Sequence, residues 1–176
     1  MLQSPEMKPR RLLKEMNVKI MCTTDEANSR LEFHQKAAEE IEGVRILPTW
    51  RPDKAMNIEK EDWKSFATDL AEMYDENADS LAGFINALQK SHDFFAKNGC
   101  QASDHGILEP VSYKVDQKRA AAIYEKGYNG EELAEKEIRD FKAYLLVEFG
   151  KMNQKTDWVT QLHIGAVRDY RDSLFQ

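Results

Sequence analysis

The sequence predicts an α/β fold built on four parallel strands, and three observations carry that prediction. Short apolar runs, several of them β-branched, recur at 18–22, 44–49, 100–103 and 158–164. Amphipathic stretches separate these runs, each long enough for the crossover that a parallel pair requires. The resulting order, α-β-α-β-αα-β-αα-β-α, is that of a parallel sheet with right-handed connections and helices packed against it. The 176 residues suit a single domain and are too few for a closed eight-stranded α/β barrel, which takes roughly 250.

Each element has its own signal. Ser4-Pro5 reads as an N-cap with Pro at the first helical position, and Leu12, Leu13 and Met16 give the following helix an apolar face. Val18–Cys22 is the first strand, ended by Thr23-Thr24-Asp25. Ser29 can cap a helix carrying Leu31, Phe33, His34, Ala38 and Ile41, with Gly43 as its natural stop. Val44–Thr49 is the second strand. Pro48 belongs near its end, because Pro cannot donate to a central ladder. Asn57 can cap a helix bearing Trp63, Phe66, Leu70, Met73 and Tyr74 at helical spacing. Asp79-Ser80 caps the next, with Ile85, Leu88, His92 and Phe95 on one face and Gly99 beyond its end. Cys100–Ser103 is the third strand. Asp116 caps a helix ending at Gly127, and Asn129-Gly130 breaks the chain. Ala134, Ile138, Phe141, Leu145 and Phe149 mark a long helix stopping at Gly150. Trp158–Ile164 is the fourth strand, and Gly165 starts the last segment. The helical hairpins at about 57–98 and 114–150 exceed plain crossovers and read as insertions on one domain spanning 1–176.

Composition narrows the function. Lys and Arg number 25 against 31 Asp and Glu, a net charge of −6, which argues against nucleic-acid binding. No apolar run approaches the ~18 residues of a membrane span, and Met1–Lys8 has no signal-peptide core, so a cytoplasmic protein is expected. Cys22 and Cys100 are the only cysteines. They read as free, partly buried thiols rather than a disulfide framework or zinc signature. There is no P-loop, G-x-G-x-x-G, H-x-H or H-E-x-x-H.

In parallel α/β folds, ligands bind beyond the carboxyl ends of the strands. Those positions hold Thr23-Thr24-Asp25, Thr49-Trp50-Arg51-Pro52-Asp53, Ser103-Asp104-His105-Gly106, and Gln161 with His163. Four polar strand ends in register predict a polar pocket. Individually each has a plain structural alternative. Asp25 can cap a turn. Arg51 can pair with Asp53 at the surface, or bind an anion with its planar fork. Asp104-His105-Gly106 can be a turn with Gly at positive φ. His163 can be a satisfied core histidine or a ligand. Asp104 and His163 could form an acid/base or metal pair, but zinc takes three or four protein ligands. His34 and His92, on helices, read as structural.

At these strand ends the sequence resembles the uronate isomerase (glucuronate isomerase) family of the amidohydrolase superfamily. The similar segments are Val18–Asp25, Leu47–Asp53, Ala102–Gly106 and Gln161–Ala166, in the family's order along nearly the whole chain. One departure is Glu26-Ala27 after Thr23-Thr24-Asp25, where the family pattern has an acidic residue and then Pro. The resemblance implies part of a (β/α)8 barrel that interconverts aldose and ketose hexuronates through an enediolate. It implies substrate binding by Arg51 and active-site roles for Asp104 and His163, and leaves His105 unassigned. It also implies a divalent metal, zinc by preference, in the full-length family, with the H-x-H ligands upstream of residue 1 and an acidic ligand downstream of Gln176. On this reading the chain alone binds no metal, is inactive, and self-associates through exposed sheet edges or forms a homo-oligomer. The alternatives are another amidohydrolase-type metal hydrolase and a non-catalytic α/β interaction domain.

Overall fold

The computed structural model describes residues 4, 7–111 and 113–165. Its order is α1 (Pro9–Glu15), β1 (Ile20–Cys22), β2 (Asp25–Glu26), α2 (Glu32–Glu40), β3 (Arg45–Leu47), β4 (Trp50–Arg51), α3 (Asp53–Met56), α4 (Trp63–Met73), α5 (Leu81–Lys97), β5 (Ala102–Ile107), α6 (Gln117–Tyr128), α7 (Glu135–Thr156) and β6 (Val159–Ile164). All strand pairs are parallel. β1 pairs with β3, and β2-β4-β5-β6 form a second sheet in sequential order.

The two sheets are one sheet with a break. Cys22 faces Leu47 and Asp25 faces Trp50, so register is unchanged from β1/β3 to β2/β4. The Thr23 and Asp25 amides still donate across the gap to the carbonyls of Leu47 and Thr49. Pro48, which has no N–H to contribute, sits in the interruption. The prediction of four sequential parallel strands therefore holds, with the first two each split in two.

The helices pack on one face of this sheet. Trp50 points outward from β4 into them, its ring edge-on to His92 of α5 and Phe149 of α7. Its indole N–H donates to Ser91 Oγ (3.0 Å), whose hydroxyl donates to the Ala27 carbonyl. Trp63, Phe84, Tyr124 and Phe141 form a second aromatic cluster between α4, α5, α6 and α7. Trp63 Nε1 and Tyr124 Oη spend their donors on the carbonyls of Ala55 and Ala78, as buried aromatic polar atoms must. Asp140 of α7 is buried and accepts from Arg119, Lys136 and Tyr113, which ties α6 and its leading loop to α7.

Several boundaries differ from the sequence reading. Pro9, not Pro5, opens α1, after Lys8; Pro5 lies outside the described residues. Ser29 Oγ accepts from the Leu31 amide and turns the chain, but Leu31 itself is the N-cap of α2. Phe33 is 80% exposed, because α2 turns His34 and Ala37 toward the sheet instead. Asn57 ends α3 rather than starting α4, whose N-cap is Asp62. Gly150 does not stop α7. The helix runs on to Thr156, ended by Asp157 at φ +57°, because Met152 and Asn153 beyond it are buried. Ser80 and Asp116 cap α5 and α6 as read, accepting from the amides of Gly83 and Arg119. Gly99 follows α5 at φ +86°. Cys100 is buried and Cys22 exposed, so only one thiol is shielded.

Candidate active site

β5 runs Ala102–Ile107, so Asp104, His105 and Gly106 lie within the strand and not in a turn after it. Gly106 is not at positive φ. The strand's alternation then sorts its residues by face. Ser103 and His105 face the helices, with Ser103 Oγ 2.7 Å from His105 Nε2 and the His105 ring stacked on Phe149. Burial drives the His105 pKa down to about 4, which keeps the ring neutral. His105 therefore belongs to the packed layer.

Asp104 faces the opposite side and is 3% exposed. Three strands bring partners to it. Arg51, at the end of β4, places Nη2 3.3 Å from Asp104 Oδ2. His163, on β6, places Nδ1 2.8 Å from Asp104 Oδ1, close but off the line of a hydrogen bond. Thr24, in the gap between β1 and β2, places its hydroxyl 3.5 Å from Asp104 Oδ2. Arg51, Asp104 and His163 thus converge on one face of the sheet.

Asp53 completes the cluster and was read from the sequence only as a possible partner of Arg51. Its Oδ2 lies 3.1 Å from Arg51 Nε and accepts from the Gly106 amide at 2.9 Å. Burial raises its pKa, against the opposing pull of the Gly106 N–H and the Arg51 charge. A Cβ on Gly106 would stand 3.1 Å from Asp53 Oδ2 and 3.5 Å from Arg51 Nη2. Glycine here makes room for that ion pair.

The site is electrostatically unequal. Asp104 is enclosed, whereas the His163 side chain is 55% exposed. Among the described residues Arg51 Nε is buried and makes no aligned hydrogen bond. The Arg51 side chain remains 23% exposed, and it is this open part of the guanidinium that can meet an anionic ligand. Among the described residues no three His, Cys, Asp or Glu side chains gather to hold a metal. Asp104 and His163 offer two donors, and the Arg51 guanidinium opposes a cation beside them. These residues do not by themselves fit a closed divalent-metal site.

A further polar cluster lies at the end of β1. The Thr23 hydroxyl is 2.6 Å from both Asp25 Oδ2 and His34 Nε2. Asp25 is thus engaged with its own strand and with α2, and His34 is structural in the sense the sequence suggested. His92 is enclosed in the core, stacked on Trp158 at 3.8 Å, and burial lowers its pKa.

The whole chain, residues 1–176, matches the family model described as glucuronate isomerase. It is 58% identical over 172 residues to a uronate isomerase of Thermotoga maritima, covering 98% of this chain and 38% of that protein. It is 38% identical over 176 residues to a uronate isomerase of Phocaeicola vulgatus, again covering 38% of the relative. The crystal structure of the Thermotoga maritima uronate isomerase superposes with a TM-score of 0.93 over 97% of this chain and 38% of that one. A glucuronate isomerase of Caulobacter crescentus, 24% identical, shares the fold with a TM-score of 0.88 over 99% of this chain and 36% of that one. The chain thus spans well under half the length of the relatives it matches.

Proposed function

The chain belongs to the glucuronate isomerase family, and from that premise we propose that its strands supply part of a (β/α)8 barrel of the amidohydrolase superfamily that interconverts aldose and ketose hexuronates. Membership favours the isomerase over the hydrolase alternative. The domain is one unit over 1–176, with the hairpins at about 57–98 and 114–150 as insertions. It works in the cytoplasm, in carbohydrate metabolism, on a small sugar acid rather than a nucleic acid or membrane.

The observation that carries this reading is the chain Arg51–Asp104–His163 across three neighbouring strands. An aldose and its ketose differ by moving one proton between C2 and C1 and one between their oxygens, through an enediolate. Such a reaction needs an anchor for the substrate carboxylate and a proton carrier near C1 and C2. Arg51 provides the anchor, because its fork can bond a carboxylate bidentately. His163 provides the carrier. Asp104 meets it at Nδ1, which leaves Nε2 free to take and return a proton. The buried carboxylate also stabilises the imidazolium formed in between, and the off-axis contact is of the kind that tightens when substrate closes the site. A divalent metal, zinc by preference, serves the complete enzyme with ligands beyond the residues described.

Steady-state kinetics of Arg51→Ala in the complete enzyme test the reading. Loss of a charge-assisted carboxylate contact raises KM for glucuronate and fructuronate roughly tenfold or more. Unchanged kinetics for both would refute the assignment.

A further inference from the structure

Asp104 is flanked on its own strand by Ser103 and His105, which point the other way, into the helices. The outward side chains therefore decide how β5 sits, and so where the Asp104 carboxylate points. Their anchor is Asn153, a 2% exposed residue near the end of α7. Its amide Nδ2 donates to Ser103 Oγ of β5 at 2.7 Å and to Thr160 Oγ1 of β6 at 2.7 Å. Its Oδ1 lies 3.2 Å from His92 Nε2. The Asn153 carbonyl also accepts from the Trp158 amide, fixing the turn from α7 into β6.

Ser103 and Thr160 are direct register partners. One residue further on, Asp104 stands opposite Gln161, and two residues beyond that Gly106 stands opposite His163. Both amide hydrogens of Asn153 are thus spent on two strands, one residue before Asp104 on β5 and three before His163 on β6. Ser103 Oγ, accepting from Asn153, keeps its own proton for the neutral His105 ring 2.7 Å away.

We propose that Asn153 is a positioning residue for the isomerase site, clamping β5 to β6 from the helical side so that Asp104 meets Nδ1 of His163. The inference rests on the proton-carrier reading of that pair given above. The backbone ladder sets register in whole residues; strand twist and lateral offset are left to side-chain anchors. Proton transfer is sensitive to that remainder, since misplacement of ~1 Å can cost about a hundredfold in rate. The Asn153 contacts reach β5 and β6 but not β4, where Arg51 is rooted, so kcat suffers more than KM.

Asn153→Ala would leave His92 and Ser103 without their partner in the core and can fail to fold, so the decisive variants are at Thr160. In the complete enzyme, Thr160→Val keeps shape and removes only the hydroxyl, whereas Thr160→Ser keeps the hydroxyl and loses a methyl. The clamp predicts that Thr160→Val lowers kcat about tenfold with KM within about threefold, and that Thr160→Ser restores kcat. Packing alone predicts the reverse order, and either that order or a wild-type kcat in Thr160→Val overturns the clamp. Asp104→Asn is measured alongside. Full activity in that variant overturns the proton-carrier reading itself. Lost activity there, with wild-type kcat in Thr160→Val, removes the clamp alone.

Discussion

Nδ1 of His163 stands 2.8 Å from Oδ1 of Asp104, across two strands whose register sets Gly106 and not Asp104 directly opposite His163. The contact is therefore diagonal on the sheet face, reaching back from the His163 position toward Asp104 on the neighbouring strand. Asp104 is enclosed and His163 open, an asymmetry suited to a carboxylate that orients and an imidazole that reacts.

Replacing Asp104 by Asn keeps shape and removes the charge. In the complete enzyme we expect kcat to fall by about 10²–10³-fold, the usual contribution of a positioned acid/base pair, with KM changed only a few-fold because Arg51 remains. Initial rates in both directions provide the check. A kcat within about threefold of wild type contradicts the pairing.

Gly106→Ala is a finer probe. The backbone there does not require glycine, so the fold should survive. The new methyl would meet Asp53 Oδ2 at 3.1 Å and Arg51 Nη2 at 3.5 Å, forcing the ion pair aside by a few tenths of an ångström. In the complete enzyme the expected outcome is an unchanged melting temperature with a KM for hexuronate raised about three- to tenfold. A KM equal to wild type would show that the Arg51 position does not matter to substrate.

Much of this was legible in the sequence, for reasons that also explain the gaps. Strand order and parallel pairing followed from the alternation of short β-branched runs with amphipathic stretches, which tertiary packing rarely overrides. Ser80 and Asp116 were readable as caps because their chemistry is local. Gly150 misled because its cost in a helix interior, ~1 kcal/mol, is outweighed when burial of Met152 and Asn153 rewards another turn. The third strand was placed too early because Asp104-His105-Gly106 looks like a turn. Its alternation, one carboxylate inward and Ser103 with His105 outward, is visible only once the two faces of the sheet have different neighbours. The Arg51–Asp53 pair was legible, but the hold of Asp53 on Gly106 and the whole role of Asn153 were not, since each works through a partner about 50 residues away in the chain.

Neutral burial of His105 makes stability depend on pH. Its folded-state pKa is depressed from 6.5 to about 4. Between those values the unfolded chain binds more protons than the native one, so stability rises with pH across that window. The contribution is fully present above about pH 6.5 and is lost as pH falls toward 4. It amounts to roughly 3 kcal/mol at most. His92, also lowered by burial, adds in the same direction. Urea midpoints at pH 7 and pH 5 should therefore separate less in His105→Gln than in wild type. Equal separation in the two proteins would exclude His105 as a source of the acid sensitivity.

The last prediction concerns a polypeptide of residues 1–176 expressed alone, which we expect to associate and to lack isomerase activity. Among the described residues β6 is an edge strand whose Val159, Leu162 and Ile164 are 62%, 45% and 50% exposed, and Ile20 of β1 is 53% exposed. A closed barrel has no edges. An open one leaves unpaired N–H and C=O groups beside apolar side chains, and such edges recruit other chains. Two copies meeting edge to edge would bury both, so light scattering after size-exclusion chromatography should report a dimer or larger species. A clean folded monomer at roughly tens of micromolar, a concentration at which exposed strand edges ordinarily pair, would count against this. Inactivity follows from the donor count: Asp104 and His163 offer at most two donors where a catalytic zinc takes three protein ligands. Robust ketose formation from glucuronate by this polypeptide with added divalent metal would overturn the expectation.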